Sequence, residues 1–368
     1  MLLVATLGVM SGITVVSSLP LISHTFSDIS NIEFLSKLML TIPSIIIAIF
    51  APFAGYLVDK FGRLKPLYFG IILFIIGGSS GLYLDNFYHI LIGRAILGFG
   101  VAFIMTSSTA LIGDYFNEEQ RHKFMSKQGM IVGIGGIVFI TSGGLLAQIH
   151  WSYPFAIYLV PIFFLPIIIK FLYEPKKYTK TEELELNPSL FPIYITAFFV
   201  MVLFYMLPTQ LPYLIINILN GEPQSIGFVI ATSFIFNIIM AMQYAKIKSN
   251  FSYMQIYSIT FLFFSIGVFI ISQASNINDL YYATVFLGSA FGLLLVNTNS
   301  WFLSQVSKNN RGKASGILTS SFFLGQFSSP LIFQPIVDIY EIQGLFLIVS
   351  AITVTMSLIL FIRFTNKK

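Results

Sequence analysis

Residues 55–66 read GYLVDKFGRLKP and lie between two long apolar runs. Asp59, Lys60, Arg63 and Lys65 bring four charges into a neighbourhood almost free of them, together with Gly55 and Gly62. The chemistry such a set allows is ionic, not covalent. A carboxylate at Asp59 can pair with a nearby guanidinium and can cap the N-terminus of a neighbouring helix, where the helix dipole favours negative charge. Both contacts can be made and broken, so Asp59 reads either as a gate latch or as an ordinary helix-end charge. Gly55 and Gly62 are expected to allow close backbone approach and a tight turn. A second ionic centre is Arg94 in LIGRAILGFGVAF, read as the one ionisable residue deep in an apolar run. A guanidinium at that depth costs about 2.5–3.5 kcal/mol on insertion scales, so it must face a cavity or a bonding partner. Two roles fit: holding helices together through backbone carbonyls, or lining a cavity as a charge that orients a solute or responds to nearby protonation.

Other chemistries lack their residues. With no cysteine there are no disulfides, thiol nucleophiles or thiolate-held metals. His24, His89, His122 and His150 fall at the ends of apolar runs or between them, with no HExxH pair. No Walker A sequence is present, so ATP-driven work is unsupported. The expectation is a protein that is not an enzyme and needs no metal or cofactor.

The elements that must position Asp59 and Arg94 follow from composition. Of 368 residues, 56% are hydrophobic and 10% charged, with a mean hydropathy of +0.85. Soluble domains carry about a quarter charged residues, so the bilayer is expected to be the solvent. Abundant Phe (39) and Tyr (18) suit lipid-facing and interfacial positions. Apolar runs long enough to cross a membrane fall at roughly 2–23, 36–58, 66–84, 88–113, 126–149, 153–173, 190–216, 225–246, 252–272, 279–305, 312–337 and 343–364. The first starts directly after Met1 with no basic leader, which points to a very short or clipped N-terminus. With the N-terminus inside, every Lys and Arg except Lys37 and Arg94 falls on the cytoplasmic side, the asymmetry that the positive-inside rule requires. Both termini are therefore expected in the cytoplasm, and the +5 net charge is topological, with no nucleic-acid partner. The hydrophilic stretch 174–189 is expected to link two six-helix bundles, 1–173 and 190–368. Gly98 and Gly288, Arg121 and Arg311, and Lys123 and Lys313 share one offset of 190 residues. Parallel repeats of this kind build a site at their interface near the membrane midplane. The fold class is an all-α integral membrane protein with twelve transmembrane helices in two pseudo-symmetric bundles.

The expected cavity is polar but mostly neutral. Thr14, Ser17 and Ser18 lie on the first span, and Gln210, Tyr213 and Asn217 at helical spacing on the seventh, which Pro208 and Pro212 should kink. Asn237 is on the eighth, Asn297, Asn299 and Trp301 on the tenth, and Gln326 on the eleventh. Each alone can equally be glue between helices; their clustering on spans seven and ten is the better clue. No Asp or Glu falls deep in any span. A proton site would have to use a boundary group such as Asp59, Asp28, Glu33, Asp338 or His24.

GYLVDKFGRLKP resembles the loop between spans two and three of the major facilitator superfamily, whose pattern is Gly-x-Leu-x-Asp-Arg-x-Gly-Arg-Arg/Lys. Gly55, Leu57, Asp59, Gly62 and Arg63 match, with Lys60 for the usual Arg and Lys65 near the final base. Arg94 followed by Gly98 is similar to the family's fourth-span pattern, and Asp114 with Arg121 to its acid-then-base loop after span four. The resemblance covers essentially the whole chain. It implies alternating access by two bundles, spans 1, 4, 7 and 10 lining the cavity, and a monomer in the cytoplasmic (inner) membrane. It also implies secondary transport of small, amphipathic organic molecules, with the drug-efflux branch and export by proton antiport as the leading reading. Two features depart from that branch. The Gly-Pro step of antiporter span five is replaced by Phe139 and Ile140, beside Gly135, Gly143 and Gly144. Span one carries no carboxylate. Both favour the alternative of an uptake carrier or facilitator for a small metabolite; a receptor or sensor without transport is the reading from another class.

Overall fold

The computed structural model describes residues 1–116, 118–175, 190–306 and 311–365, and among these it is helical with no strands. Spans 1 to 10 are Leu2–Thr25, Ile32–Phe61, Leu64–Leu82, Phe87–Tyr115, Glu118–Ile149, Tyr153–Phe171, Phe191–Ile218, Pro223–Lys248, Tyr253–Ser272 and Ile277–Gln305. The last run, Arg311–Thr365, is interrupted at Glu341, whose φ of 63° and ψ of 173° are not helical. That break divides it into spans 11 and 12, giving the expected twelve. Residues 1 and 365 lie on one face, the terminal face. The turns around Ile29, Asp85, Trp151, Asn220, Ser275 and Glu341 lie on the opposite face.

Local sequence sets several helix starts. Asn86 accepts from the backbone N–H groups of Tyr88 and His89 at the start of span 4. Ser252 with Gln255, and Asn276 with Asp279, form reciprocal capping boxes for spans 9 and 10. Each satisfies N–H groups that a helix start leaves without partners. Span 1 is broken by a 3₁₀ turn at Val16–Ser18, after which Pro20 opens Leu19–Thr25.

Packing is carried by small residues and neutral hydroxyls, because lipid offers no hydrophobic drive between helices. Spans 3 and 4 approach where a Cβ on Gly77 would meet the carbonyl oxygen of Gly93. Spans 9 and 12 are joined by two reciprocal serine pairs seven residues apart. Ser258 and Ser357 each donate to the other's carbonyl oxygen (2.8 and 2.7 Å), as do Ser265 and Ser350 (2.9 and 3.1 Å). Large apolar side chains such as Phe163, Met242 and Ile339 stay more than 70% exposed, as a lipid-facing surface requires. The two bundles meet along two seams, span 5 on span 8 and span 2 on span 11.

Candidate functional site

The seam of the opposite face is built around a residue expected outside the membrane. Span 2 begins at Ile32, after Asn31 in a left-handed conformation (φ 57°). This is earlier than the apolar pattern suggests, so Lys37 lies more than a turn inside the helix and is 0% exposed. Lys37 is therefore a second buried cation, which corrects the reading of Arg94 as the only one. Its ammonium donates to Glu33 Oε1 (2.6 Å), Gln210 Oε1 (2.8 Å) and Gln334 Oε1 (2.7 Å). Glu33 is on its own helix; Gln210 is on span 7 and Gln334 on span 11. The ring of Tyr213 sits 4.5 Å from the same nitrogen, and the Tyr213 hydroxyl lies 2.9 Å from the Ser23 hydroxyl on span 1. Gln334 in turn donates to Asp338 (2.8 Å).

More contacts run along the same seams. Ser44 donates to Gln326 (2.9 Å) and Ser320 to the carbonyl of Ala48 (3.5 Å) between spans 2 and 11. Gln148 donates to Glu222 (3.1 Å) between spans 5 and 8. A Cβ on Gly144 would stand 3.1 Å from the Cα of Gly227, so these two helices touch backbone to backbone. Span 7 reaches this region through Pro208, Pro212 and a π-helical turn at Leu214–Ile218. Among the described residues, the hydrogen bonds and close contacts between the halves lie in the middle and opposite-face parts of the spans.

The terminal face differs. Arg63 donates to Asp59 (2.6 Å) and to Asp114 at the end of span 4 (3.0 Å). Burial opposes the charged form of Arg63, but the bonds to Asp114 and Asp59 outweigh it and raise its pKa above the ordinary arginine value. The Asp59 side chain is 75% exposed. The expected pairing with a guanidinium is present, but it closes within one bundle. The expected helix cap is made by another residue: Glu174 accepts from the backbone N–H groups of Arg63 and Leu64 at the start of span 3 (2.9 Å for Leu64). Glu174, read from the sequence as the first linker residue, is thus docked on the first bundle. Gly62 makes this possible. Its φ is 92°, and a Cβ there would meet the Glu174 carboxylate at 2.7 Å. Gly55, expected to allow close approach, has no atom within 4 Å of a Cβ position. The same holds for Gly8, Gly113, Gly129 and Gly316, all in terminal-face parts of their spans. Lys65 is exposed, and Lys60 lies near the rings of Tyr56 and Phe61. The side chain of Arg121 lies outside the described residues.

Arg94 is 0% exposed and is held as a tie between helices. Its Nε donates to the carbonyl of Met39 on span 2 (3.3 Å) and its Nη2 to that of Ser11 on span 1 (3.0 Å). The guanidinium lies 5.2 Å from the Tyr158 ring of span 6. Nη1 has no partner, which leaves its two buried N–H groups uncommitted. Gly98, one turn on, lets span 2 approach: a Cβ there would meet the carbonyl oxygen of Pro43 at 2.8 Å.

The remaining candidates divide. Gln210 and Tyr213 come together at Lys37, and Gln210 keeps its Nε2 unpartnered. Thr14 bonds its own helix at Met10, while the Ser18 hydroxyl is buried without a partner. Asn217 is exposed. Asn237 lines an apolar cavity of about 40 Å³ with Pro208, Phe234 and Phe291. Asn297 is spent inside the second bundle, accepting from Tyr244 (3.1 Å) and donating to the carbonyl of Tyr253 (3.1 Å). Trp301 packs edge-on against Tyr257. Gln326 bonds Ser44 across the seam. Lys37, Gln334, Ser23 and Glu174 were missed as functional candidates. The i, i+4 spacing of Glu33 and Lys37 was the one available signal.

The family model described as Major Facilitator Superfamily matches residues 1–192 and 193–368. The chain is 27% identical over 314 residues to an uncharacterized transporter of Buchnera aphidicola subsp. Acyrthosiphon pisum, covering 80% of this chain and 79% of that one. It is 23% identical over 305 residues to the quinolone resistance protein NorA of Staphylococcus aureus, covering 79% and 78%. Its fold is similar to the crystal structure of a D-xylose-proton symporter, with a TM-score of 0.79, 18% identity and coverage of 98% and 96%.

Proposed function

This chain belongs to the major facilitator superfamily of transporters, and on that premise we propose that it exports small amphipathic organic molecules by alternating access with proton antiport. The observation that carries this reading is the asymmetry of the seams. Among the described residues, contacts between the halves are made from the middle of the bilayer to the opposite face, while Gly8, Gly55, Gly113, Gly129 and Gly316 in the terminal-face parts have open space around them. Base distribution favours a cytoplasmic terminal face, and the structure is then inward-open. A solute would enter from the cytoplasmic side, and rocking of the bundles 1–173 and 190–368 about the stretch 174–189 would carry it out.

Substrate class follows from the lining. Of the groups expected to line it, Asn237 and Gln326 are neutral and part-exposed, and Thr14, Ser18 and Tyr213 are neutral and buried in this state. Arg94 keeps the two N–H groups of Nη1 without a partner, and the cavity that Asn237 lines is mostly apolar and aromatic. Such a surface suits moderately apolar solutes with a few acceptor oxygens, and highly anionic ones would need more bases. The quinolone resistance protein among the relatives points the same way. Among the described residues the spans bury no carboxylate, so the coupling proton is assigned to a boundary group, with Asp59 first. Asp59 is free to leave Arg63 and cap a helix start on the second half when the terminal face closes.

The test is flux in proteoliposomes with and without a pH gradient, using compounds picked by a growth screen in an efflux-deficient host. Export that rises with an inward proton gradient is expected. Gradient-insensitive flux would replace this reading with an uptake carrier or facilitator, which the acid-free core and the Phe139–Ile140 step favour.

A further inference from the structure

We propose that Lys37 is the lock of the opposite face: its ammonium holds that face shut by binding amide oxygens that belong to the other half of the protein. An ammonium has three donors, and here all three are used, on Glu33, Gln210 and Gln334. Two of the three acceptors lie across the seam, on different spans. Glu33 travels with Lys37 on the same helix, so when the halves separate at this face the lysine keeps Glu33 and loses both glutamines. Ser44 with Gln326 and Gln148 with Glu222 each cross once, and the Tyr213 hydroxyl, which crosses to Ser23, Leu19 and Glu33, is neutral.

Burial makes the lock selective between states. In the closed state, removing the ammonium leaves two amide oxygens buried without a donor, and an unmet buried acceptor is costly. In the open state those oxygens reach water, so the same change costs little there. Loss of Lys37 therefore acts on the equilibrium between states, not only on the fold. A lysine that merely filled space would weaken both states alike. Replacing the whole set by apolar groups should also restore the seam, since a buried polar cluster and a well-packed apolar one can be equally stable. Gln334 is oriented by Asp338. Three spans meet at one nitrogen, and Tyr213 ties a fourth, span 1, to them through Ser23.

The proposal rests on the two-state reading of the family, not on the substrate or the coupling ion. The chain has no cysteine, so a single Ser18→Cys reporter is available. Ser18 is 0% exposed while the terminal face is open, so its labelling reports opening of the opposite face. The measurement is the rate of maleimide labelling in lipid nanodiscs, where both faces meet the reagent and no solute or gradient is needed. Lys37→Met is expected to raise the rate roughly tenfold. Adding Gln210→Leu and Gln334→Leu to Lys37→Met is expected to bring it back near the parent rate. A folded, monodisperse Lys37→Met protein that labels at the parent rate overturns the lock. If Lys37→Met does not fold, Gln210→Leu and Gln334→Leu alone each remove one crossing bond. A rise of about threefold in either supports the proposal, and parent rates in both overturn it.

Discussion

The two faces of this molecule use charge in opposite ways. On the terminal face, Asp59, Arg63, Asp114 and Glu174 are bonded among themselves, all within the first bundle. On the opposite face, one buried lysine reaches into the second bundle twice. Charge density therefore does not locate the contact that holds a conformation. Partner location does. Asp59, Arg63 and Asp114 are conspicuous but bond one another within the first bundle, whereas Lys37, set among Glu33, Gln210 and Gln334, joins the halves.

Several substitutions bear on that contrast. The largest effect is expected at Arg94, which belongs to neither face. Arg94→Ala strips a donor from the carbonyls of Ser11 and Met39, at about 2–4 kcal/mol for two buried acceptors. Melting temperature in detergent should fall and transport should drop more than tenfold. Normal expression with undiminished flux would reduce Arg94 to packing. Next is Gly144→Leu, which wedges spans 5 and 8 where their backbones touch. Overpacking of about 1–3 kcal/mol should fall on the closed seam alone, so the opposite face should open, read as faster labelling of the Ser18→Cys reporter. An unchanged rate would mean that the span 5–8 contact does not close that face. Asp59→Asn should leave stability within about 1 kcal/mol, since exposed ion pairs contribute little. Transport should nevertheless fall several-fold, because the loss would be felt in the state where the terminal face is shut. Equal flux in the parent and Asp59→Asn proteins would remove the latch from the mechanism.

Hydropathy was enough to place twelve spans, because a segment in lipid must satisfy its own backbone, and even the break at Glu341 falls between two separately legible runs. The partners of single side chains were not legible. Lys37 near the start of a span reads as an end charge, and its acceptors lie 173 and 297 residues away. Asn297 and Trp301 were placed correctly on one helix, but helical spacing does not say which neighbour they meet, and Asn297 is taken by Tyr244 and Tyr253. Glu174 looked like linker because a carboxylate after a span is ordinarily solvated. Only the positive φ of Gly62 brings two N–H groups within its reach.

The serine rungs between spans 9 and 12 carry a mechanical consequence. They are neutral and buried and bond in both directions, so neither added salt nor a change in proton concentration loosens them. A slide of span 12 by one turn would break all four at once. Span 12 is thereby riveted to its neighbour like a plank to a hull, and the two can swing as one piece within the second bundle.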